Sequence, residues 1–78
     1  MAETVTLETL LRDSFPDASA LAVEDRTGGG DHFQVTIASG RFDGLSLVEQ
    51  HRLVYEALAA PMGDGSIHEL RITTRGHA

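Results

Sequence analysis

Apolar residues recur at helical spacing near the start of the chain. The residues that set this i, i+3, i+4, i+8 pattern are Leu7, Leu10, Leu11 and Phe15. The pattern predicts an amphipathic helix over residues 4–15, with Thr4 or Thr6 as its N-cap. Pro16 ends the helix, because a proline pushes the residue before it away from helical geometry.

Two later stretches alternate between apolar and polar side chains, as half-buried strands do. The first spans residues 20–25 and the second spans residues 33–38. In the second, the apolar positions are Phe33, Val35 and Ile37. A connection of about six residues separates the two stretches, so they are predicted to pair as an antiparallel hairpin.

A capping box predicts the start of a second helix. Ser46 and Glu49 stand three positions apart, so the hydroxyl and the carboxylate can satisfy free amide groups at a helix start. The helix should run to about Ala60 and stop at Pro61. Its apolar stripe contains Leu47, His51, Val54 and Leu58.

The last strand is predicted over residues 67–73, and residues 74–78 are expected to form a frayed tail. A crossover through helix usually joins parallel strands, so the second and third strands should start at one edge of the sheet. His32 and His68 lie at or near these starts. Strict alternation would place the two rings on opposite faces, whereas an irregular strand start would let them meet.

Composition limits what this chain can do. Its 78 residues make one small domain with room for a single core, and no residue is a cysteine. A disulfide framework and a Cys-based zinc site are thereby excluded. A nucleophilic enzyme is disfavoured, because the chain has neither a cysteine nor a G-x-S-x-G turn. A binding role is therefore expected rather than catalysis.

The charge balance disfavours a broad nucleic-acid surface. Six basic and twelve acidic residues give a net charge of −6, and phosphate binding depends on basic side chains. Arg52, Arg71 and Arg75 could still converge into a local basic patch. The amino terminus shows no secretory signal, and no apolar run is long enough to cross a bilayer. A soluble, cytoplasmic protein without membrane contact is expected.

The stretch TGGGDHFQV, residues 27–35, places three glycines beside an acid and a histidine. A phosphate cradle is disfavoured, because Asp31 would repel an anion and a strand rather than a helix follows. A flexible hairpin turn, in which the glycines adopt positive φ, is the plainer interpretation.

Without cysteine, a metal would depend on histidines, on carboxylates or on another molecule. His32 and His68 are each either a metal ligand or an ordinary solvated or backbone-bonded side chain. Their shared sheet edge favours the ligand interpretation. His51 lies on an apolar helix stripe and is expected to be a hydrogen-bonded boundary residue. His77 lies in the tail and needs no role.

With these residues identified, the sequence resembles the BolA-like family over about residues 7–73. The matching motifs are Phe15-Pro16-Asp17-Ala18, His32-Phe33-Gln34-Val35 after the glycine turn, Phe42-Asp43-Gly44, His51-Arg52-Leu53-Val54-Tyr55 with Leu58, and Ile67-His68-Glu69-Leu70. The resemblance implies a small α/β domain of the class II KH-like type. Its order is helix-strand-strand-helix-helix-strand with a three-stranded mixed sheet, which would divide residues 46–60 into a short helix and a longer one.

The resemblance also implies a partner and a cofactor. BolA-like proteins pair with monothiol glutaredoxins and share a [2Fe–2S] cluster, which a glutaredoxin cysteine and glutathione complete. His68 matches the family's histidine ligand, and His32 is the candidate for the second ligand, which comes from the loop between the first two strands. The isolated chain is not expected to hold the cluster tightly. His68 and Phe42 are expected at the partner surface.

Two alternatives stay open. Some BolA-like proteins are described as DNA-binding transcriptional regulators, and His51, Arg52 and Arg71 would represent that surface here. Two departures weaken this alternative: Gln50 stands where many relatives have arginine, and no Lys-rich segment follows Thr73. The other alternative is a protein-interaction module whose histidines are only structural.

Overall fold

The computed structural model describes residues 2–77, which form a three-stranded sheet with the helices on one face. The elements are, in chain order, α1 (Thr4–Ser14), β1 (Ala20–Asp25), β2 (His32–Ala38), a 3-10 turn (Gly40–Phe42), α2 (Leu47–Ala57), α3 (Ala59–Gly63) and β3 (Glu69–Arg75). The predicted small α/β domain with a mixed sheet is confirmed. Within residues 2–77, no helix is both long and apolar enough to cross a membrane.

β2 lies in the centre of the sheet and pairs differently with its two neighbours. β1 runs antiparallel to it, with Leu21 opposite Ile37, which confirms the predicted hairpin. β3 runs parallel to it, with Phe33 opposite Leu70, because the chain returns through α2 and α3 before it re-enters the sheet. The first residues of β2 and β3 therefore lie side by side at one end of the sheet.

One apolar cluster joins the sheet to the helices. Its buried members are Leu7, Leu11, Phe15, Phe33, Val35, Ile37, Phe42, Val54, Leu58 and Ile67. The apolar spacing in α1 and β2 predicts the core correctly, because helical and alternating periods each put such residues on one side of an element. In α2, Leu47 belongs to the predicted apolar stripe but is not buried. It is the first residue of that helix and is 61% exposed, since the helix reaches the core only further along, at Val54.

Phe42 is a core residue and not a partner contact. Its side chain is 1% exposed, and its ring packs against that of Phe15 with centroids 5.1 Å apart. The 3-10 turn that links β2 to α2 carries this ring into the apolar cluster. The expectation that Phe42 contacts a partner is thereby corrected, because the ring has almost no surface to offer.

The helix that follows the capping box ends earlier than predicted. The box itself is confirmed: Ser46 Oγ accepts from the Glu49 amide at 3.2 Å, and Glu49 Oε1 accepts from the Ser46 amide at 2.9 Å. However, α2 ends at Ala57, and Pro61 lies inside α3. Pro61 is tolerated there because it stands in the first turn, where amide groups have no intrahelical acceptor. The presence of two helices agrees with the family resemblance, but the longer helix comes first and the short second helix runs past residue 60 to Gly63.

The start of α1 has no side-chain cap. Glu3 occupies the N-cap position, and its side chain accepts no hydrogen bond from the helix. The expectation that Thr4 or Thr6 caps this helix is therefore wrong. The helix depends instead on the burial of its apolar face, which is the usual source of helix stability in proteins.

The carboxyl-terminal end of the described chain is held in place and does not fray. β3 continues to Arg75, two residues beyond the predicted end of the strand. The His77 amide donates to Asp43 Oδ1 at 2.7 Å, and His77 Nε2 lies 2.9 Å from Ser19 Oγ. Residues 74–77 are therefore part of the fold, and Ala78 lies outside the described residues.

Candidate functional site

His32 and His68 meet at one end of the sheet. His32 is the first residue of β2, and His68 directly precedes β3. Their ring centroids are 6.3 Å apart, and the ring planes are nearly perpendicular at 84°. The predicted parallel crossover therefore brings together two imidazoles that are 36 positions apart in the sequence.

The two rings meet because His68 lies outside the strand ladder. The amides of His68 and Glu69 both donate to the backbone carbonyl of Asp31, at 2.8 and 3.1 Å. The chain bends onto this carbonyl before β3 begins, so strand alternation does not control the direction of the His68 ring. Of the two arrangements that the sequence leaves open, the structure has the one in which the rings are neighbours.

The side chain of Asp31 lies between the two histidines. Its Oδ1 is 2.9 Å from His32 Nδ1, and its Oδ2 is 3.3 Å from His68 Nδ1. The hydrogen bond with His32 is the main reason that the pKa of Asp31 lies below its usual value, and the charge of the nearby imidazoles adds to it. Sequence reasoning considered Asp31 only as a group that repels anions. The feature of the sequence that could have identified Asp31 as part of the site is an acidic residue directly before the histidine that begins a strand.

A second carboxylate approaches the pair from the other side. Glu69 Oε2 lies 3.7 Å from His32 Nε2, while Glu69 Oε1 accepts hydrogen bonds from Arg26 and Arg71, both at 3.1 Å. The His68 side chain is 65% exposed, and that of His32 is 31% exposed. The site is thus open to solvent at His68 and partly covered at His32.

The glycine turn is braced from within by Asp25. Its carboxylate accepts from the amides of Thr27, Gly28 and Gly30 at 3.3, 2.9 and 3.0 Å. Gly28 and Gly30 have φ values of +78° and +75°, which only glycine adopts readily. Such converging amides form a nest that can bind an anion, but here the chain's own carboxylate occupies it. The turn is therefore not the flexible loop expected from its glycines, and it offers no phosphate site.

Two imidazole nitrogens fit a metal as a partial ligand set. Among residues 2–77, no group of three or more His, Cys, Asp and Glu side chains is placed to hold a metal ion. Since imidazole nitrogen lies about 2.0–2.1 Å from a bound metal, two rings on one tetrahedral ion have centroids roughly 5 Å apart. The rings at 6.3 Å must approach by about 1 Å, which rotation of partly exposed side chains allows.

The residues predicted for a DNA-binding surface do not lie on one face. His51 and Arg52 belong to α2 in the helical layer. Arg71 is paired with Gln34 in the register of β2 and β3, which places it on the opposite, open face of the sheet, where it donates to Glu69. The DNA-binding alternative stays a prediction, without a shared basic surface to support it.

His51 is half-buried, and its Nε2 is buried without a hydrogen-bond partner. The expectation of a hydrogen-bonded boundary histidine is therefore wrong at this atom. We expect His51→Leu to raise the free energy of unfolding by about 1 kcal/mol or more, because a buried polar group without a partner costs about 1–3 kcal/mol. Urea unfolding followed by circular dichroism measures the change.

The exposed Glu56 on the same helix provides the control. Glu56→Leu adds the same side chain without removing a buried nitrogen, so it should change stability by at most about 0.5 kcal/mol. A His51→Leu protein that is less stable than wild type would contradict the assignment of an unpaired nitrogen.

Comparison with known proteins identifies the family. A sequence model of the family described as BolA-like protein matches residues 8–78. The chain belongs to the BolA-like family. A BolA-like protein of Dictyostelium discoideum is 52% identical over 48 residues, which cover 62% of this BolA-like chain and 42% of that protein. An uncharacterized protein of Rickettsia prowazekii is 38% identical over 68 residues, which cover 87% of this chain and 86% of that protein.

Solved structures have the same fold. A bol-like protein from Babesia bovis superposes with a TM-score of 0.86 at 31% identity, covering 99% of this BolA-like chain and 87% of that chain. The chain spans less than half the length of its Dictyostelium relative. The resemblance recognised in the sequence is thus confirmed for both the family and the fold.

Proposed function

We propose that this BolA-like protein is a binding adaptor that pairs with a monothiol glutaredoxin. In this proposal the two proteins share a [2Fe–2S] cluster for cluster assembly, trafficking or iron sensing. His68 and His32 are the ligands contributed by this chain, and glutathione and a glutaredoxin cysteine are the others. A cytoplasmic location and the absence of substrate turnover belong to the same proposal.

One observation carries the proposal: two neighbouring imidazoles have their Nδ1 atoms on a single carboxylate. Asp31 contacts Nδ1 of both His32 and His68. Metal-ligating histidines commonly donate their other ring N–H to a carboxylate, which leaves the remaining nitrogen free to bind a metal. Nε2 is therefore the ligand atom expected on His32, and the Asp31 charge beside His68 Nδ1 favours Nε2 as the ligand atom of that ring too.

The incomplete ligand set supports a shared site. Structural zinc sites take four protein ligands, and residues 2–77 place no third His, Cys, Asp or Glu with this pair as a metal-binding group. A metal held here needs ligands from another molecule. A [2Fe–2S] cluster meets this condition, because each of its two irons takes two external ligands and a pair of histidines can serve one iron.

The charges around the pair are compatible with such a site. Glu69 is held by Arg26 and Arg71, so its negative charge beside His32 is partly balanced. When bound, a [2Fe–2S] cluster supplies one-electron chemistry, at a potential that histidine ligation raises above that of all-cysteine ligation. His32 has to turn its Nε2 away from Glu69 to ligate, whereas the His68 ring is already exposed.

Reconstitution tests the proposal. The protein is mixed with a monothiol glutaredoxin, glutathione, ferrous iron and sulfide, and the product is followed by visible circular dichroism and by its mass in solution. A heterodimer with a histidine-type cluster spectrum is expected. A mixture that yields only the cluster spectrum of the glutaredoxin alone would overturn the proposal.

His32→Ala is expected to weaken the cluster without abolishing it, because water or a thiol can replace this ligand at the start of β2. The spectrum should change in band position, and loss of the cluster to a chelator should be about tenfold faster, at the low end of the effects seen when metal sites lose a supporting partner. His77→Ala removes a histidine at the other end of the sheet and is the matched control. Identical spectra for His32→Ala and His77→Ala would remove His32 from the ligand set.

A further inference from the structure

Both histidines of the candidate site lie against the same carboxylate, which is hydrogen-bonded to His32 and in ion-pair contact with His68. Asp31 Oδ1 lies 2.9 Å from His32 Nδ1, and Asp31 Oδ2 lies 3.3 Å from His68 Nδ1. An ionised carboxylate can only accept hydrogen bonds, so a neutral imidazole facing it must carry its proton on Nδ1. The protonated ring nitrogen is set by the hydrogen bond that it makes. Asp31 can therefore select the tautomer of His32 through this hydrogen bond, and its negative charge 3.3 Å from His68 Nδ1 favours a proton on that nitrogen as well.

We propose that Asp31 is a positioning residue that holds His32 and His68 in the Nδ1–H tautomer, with Nε2 of each unprotonated and available to a metal. Histidine side chains in water prefer the opposite tautomer, in which Nε2 carries the proton and cannot ligate. The tautomer that ligation requires is thus favoured by a residue of this chain itself, whereas the final ring positions are reached when His32 turns its Nε2 away from Glu69. Its consequence for cluster binding rests on the proposed function, but the tautomers themselves do not.

The Asp31 side chain is well placed for this role because its backbone is fixed to both strand starts. Its carbonyl oxygen accepts from the His68 and Glu69 amides, and the next residue begins β2. The Thr27 hydroxyl lies 3.3 Å from Asp31 Oδ1. The turn before it is braced by the Asp25 carboxylate on three amides. The position of the carboxylate is therefore fixed by contacts within this chain.

Glu69 does not compete for the proton. Its Oε2 is 3.7 Å from His32 Nε2, which is beyond hydrogen-bond distance. Its other oxygen already accepts from Arg26 and Arg71. The contact of His32 Nδ1 with Asp31 is shorter than that of His32 Nε2 with Glu69, so Asp31 decides the tautomer of His32. Within residues 2–77, no carboxylate other than Asp31 contacts His68.

The tautomers can be measured on the free protein. Long-range proton–nitrogen NMR spectra of nitrogen-15-labelled protein distinguish Nδ1–H from Nε2–H, and a pH of about 9 keeps ordinary imidazoles neutral. The wild type should show His32 and His68 mainly as Nδ1–H. In Asp31→Ala, both rings should change to mainly Nε2–H. A wild-type spectrum dominated by Nε2–H, or an Asp31→Ala spectrum like that of the wild type, would overturn the proposal.

Two further variants separate positioning from a general effect on structure. Asp31→Asn keeps the shape but replaces one acceptor oxygen by an NH₂ donor, so one histidine should keep the Nδ1–H form while the other loses it. Glu69→Gln keeps Asp31 and should leave both tautomers unchanged. If Glu69→Gln shifts the tautomers as strongly as Asp31→Ala, Asp31 is not the selecting group. Far-UV circular dichroism confirms that each variant is folded.

Cluster retention provides an independent measurement. In the reconstituted glutaredoxin complex, Asp31→Ala should lower cluster retention about 10–100-fold, the usual effect of losing a carboxylate behind a metal-bound histidine. If His32 and His68 variants leave the cluster unchanged, the proposed function fails while the tautomer result stands. If the histidine variants lose the cluster but Asp31→Ala retains it with wild-type tautomers, the role of Asp31 fails alone.

Discussion

His68→Ala is expected to abolish the [2Fe–2S] spectrum of the complex with a monothiol glutaredoxin while leaving the free chain folded. His68 is the more exposed ring of the pair at 65%, so it is the proposed ligand that a partner can reach more easily. Loss of a carboxylate behind a metal-bound histidine costs about 10–100-fold in affinity, so loss of a ligand that neither water nor a thiol replaces should cost at least about 100-fold. Visible circular dichroism of the reconstituted mixture measures the loss.

The fold should survive this substitution. The His68 amide donates to the Asp31 carbonyl at 2.8 Å, and alanine keeps that bond. A substitution of an exposed side chain usually changes stability by about 0.5 kcal/mol or less. His77→Ala, at the other end of the sheet, should retain the full spectrum. An unchanged spectrum in His68→Ala, with the heterodimer intact, would instead favour an interaction module whose histidines are only structural.

Phe42→Ala should have the largest effect on stability. The ring is 1% exposed and packs against the ring of Phe15, with centroids 5.1 Å apart, inside the apolar cluster. Truncation of a buried phenylalanine costs about 3–5 kcal/mol through lost burial and the cavity left behind. The whole domain of 78 residues has about 4–12 kcal/mol of stability by typical per-residue values. We therefore expect Phe42→Ala to lose at least about a quarter of the stability of the domain and to unfold at a much lower urea concentration than the wild type.

Tyr55→Ala is the aromatic control for this prediction. Tyr55 is 43% exposed on α2, and alanine is the better helix former, so the cost should be about 1 kcal/mol or less. Urea unfolding followed by far-UV circular dichroism compares the two variants. The assignment of Phe42 to the core would be wrong if Phe42→Ala and Tyr55→Ala unfolded at the same urea concentration. If, in addition, only Phe42→Ala weakened glutaredoxin binding, Phe42 would be a partner contact.

Most of the fold follows from local patterns in the sequence. Leu7 and Leu11 predict α1, the alternation from Phe33 predicts β2, and Ser46 with Glu49 predicts the start of α2, all as observed. These predictions succeed because helical and strand periods repeat within a few residues. The predicted end of α2 is wrong. Pro61 does not mark the end of that helix, because it lies in the first turn of α3, where a proline is tolerated.

The candidate site was predicted less completely. The topology brings His32 and His68 to one end of the sheet, but their contact depends on the bend at Asp31, which no periodic pattern encodes. Asp25 was missed for a similar reason. Its role on the glycine turn arises from three amides that converge only when the turn is formed.

The sequence by itself determined the apolar faces, the crossover that makes β2 and β3 parallel, and the fact that this chain can contribute no cysteine to a metal site. These properties are local or compositional, so the chain carries them before it folds. Only the tertiary structure decided that Phe42 is buried, that Arg52 and Arg71 lie on different faces, and that one carboxylate serves two histidines. Each of these depends on distances between segments far apart in the chain, which are set when the helices pack against the sheet.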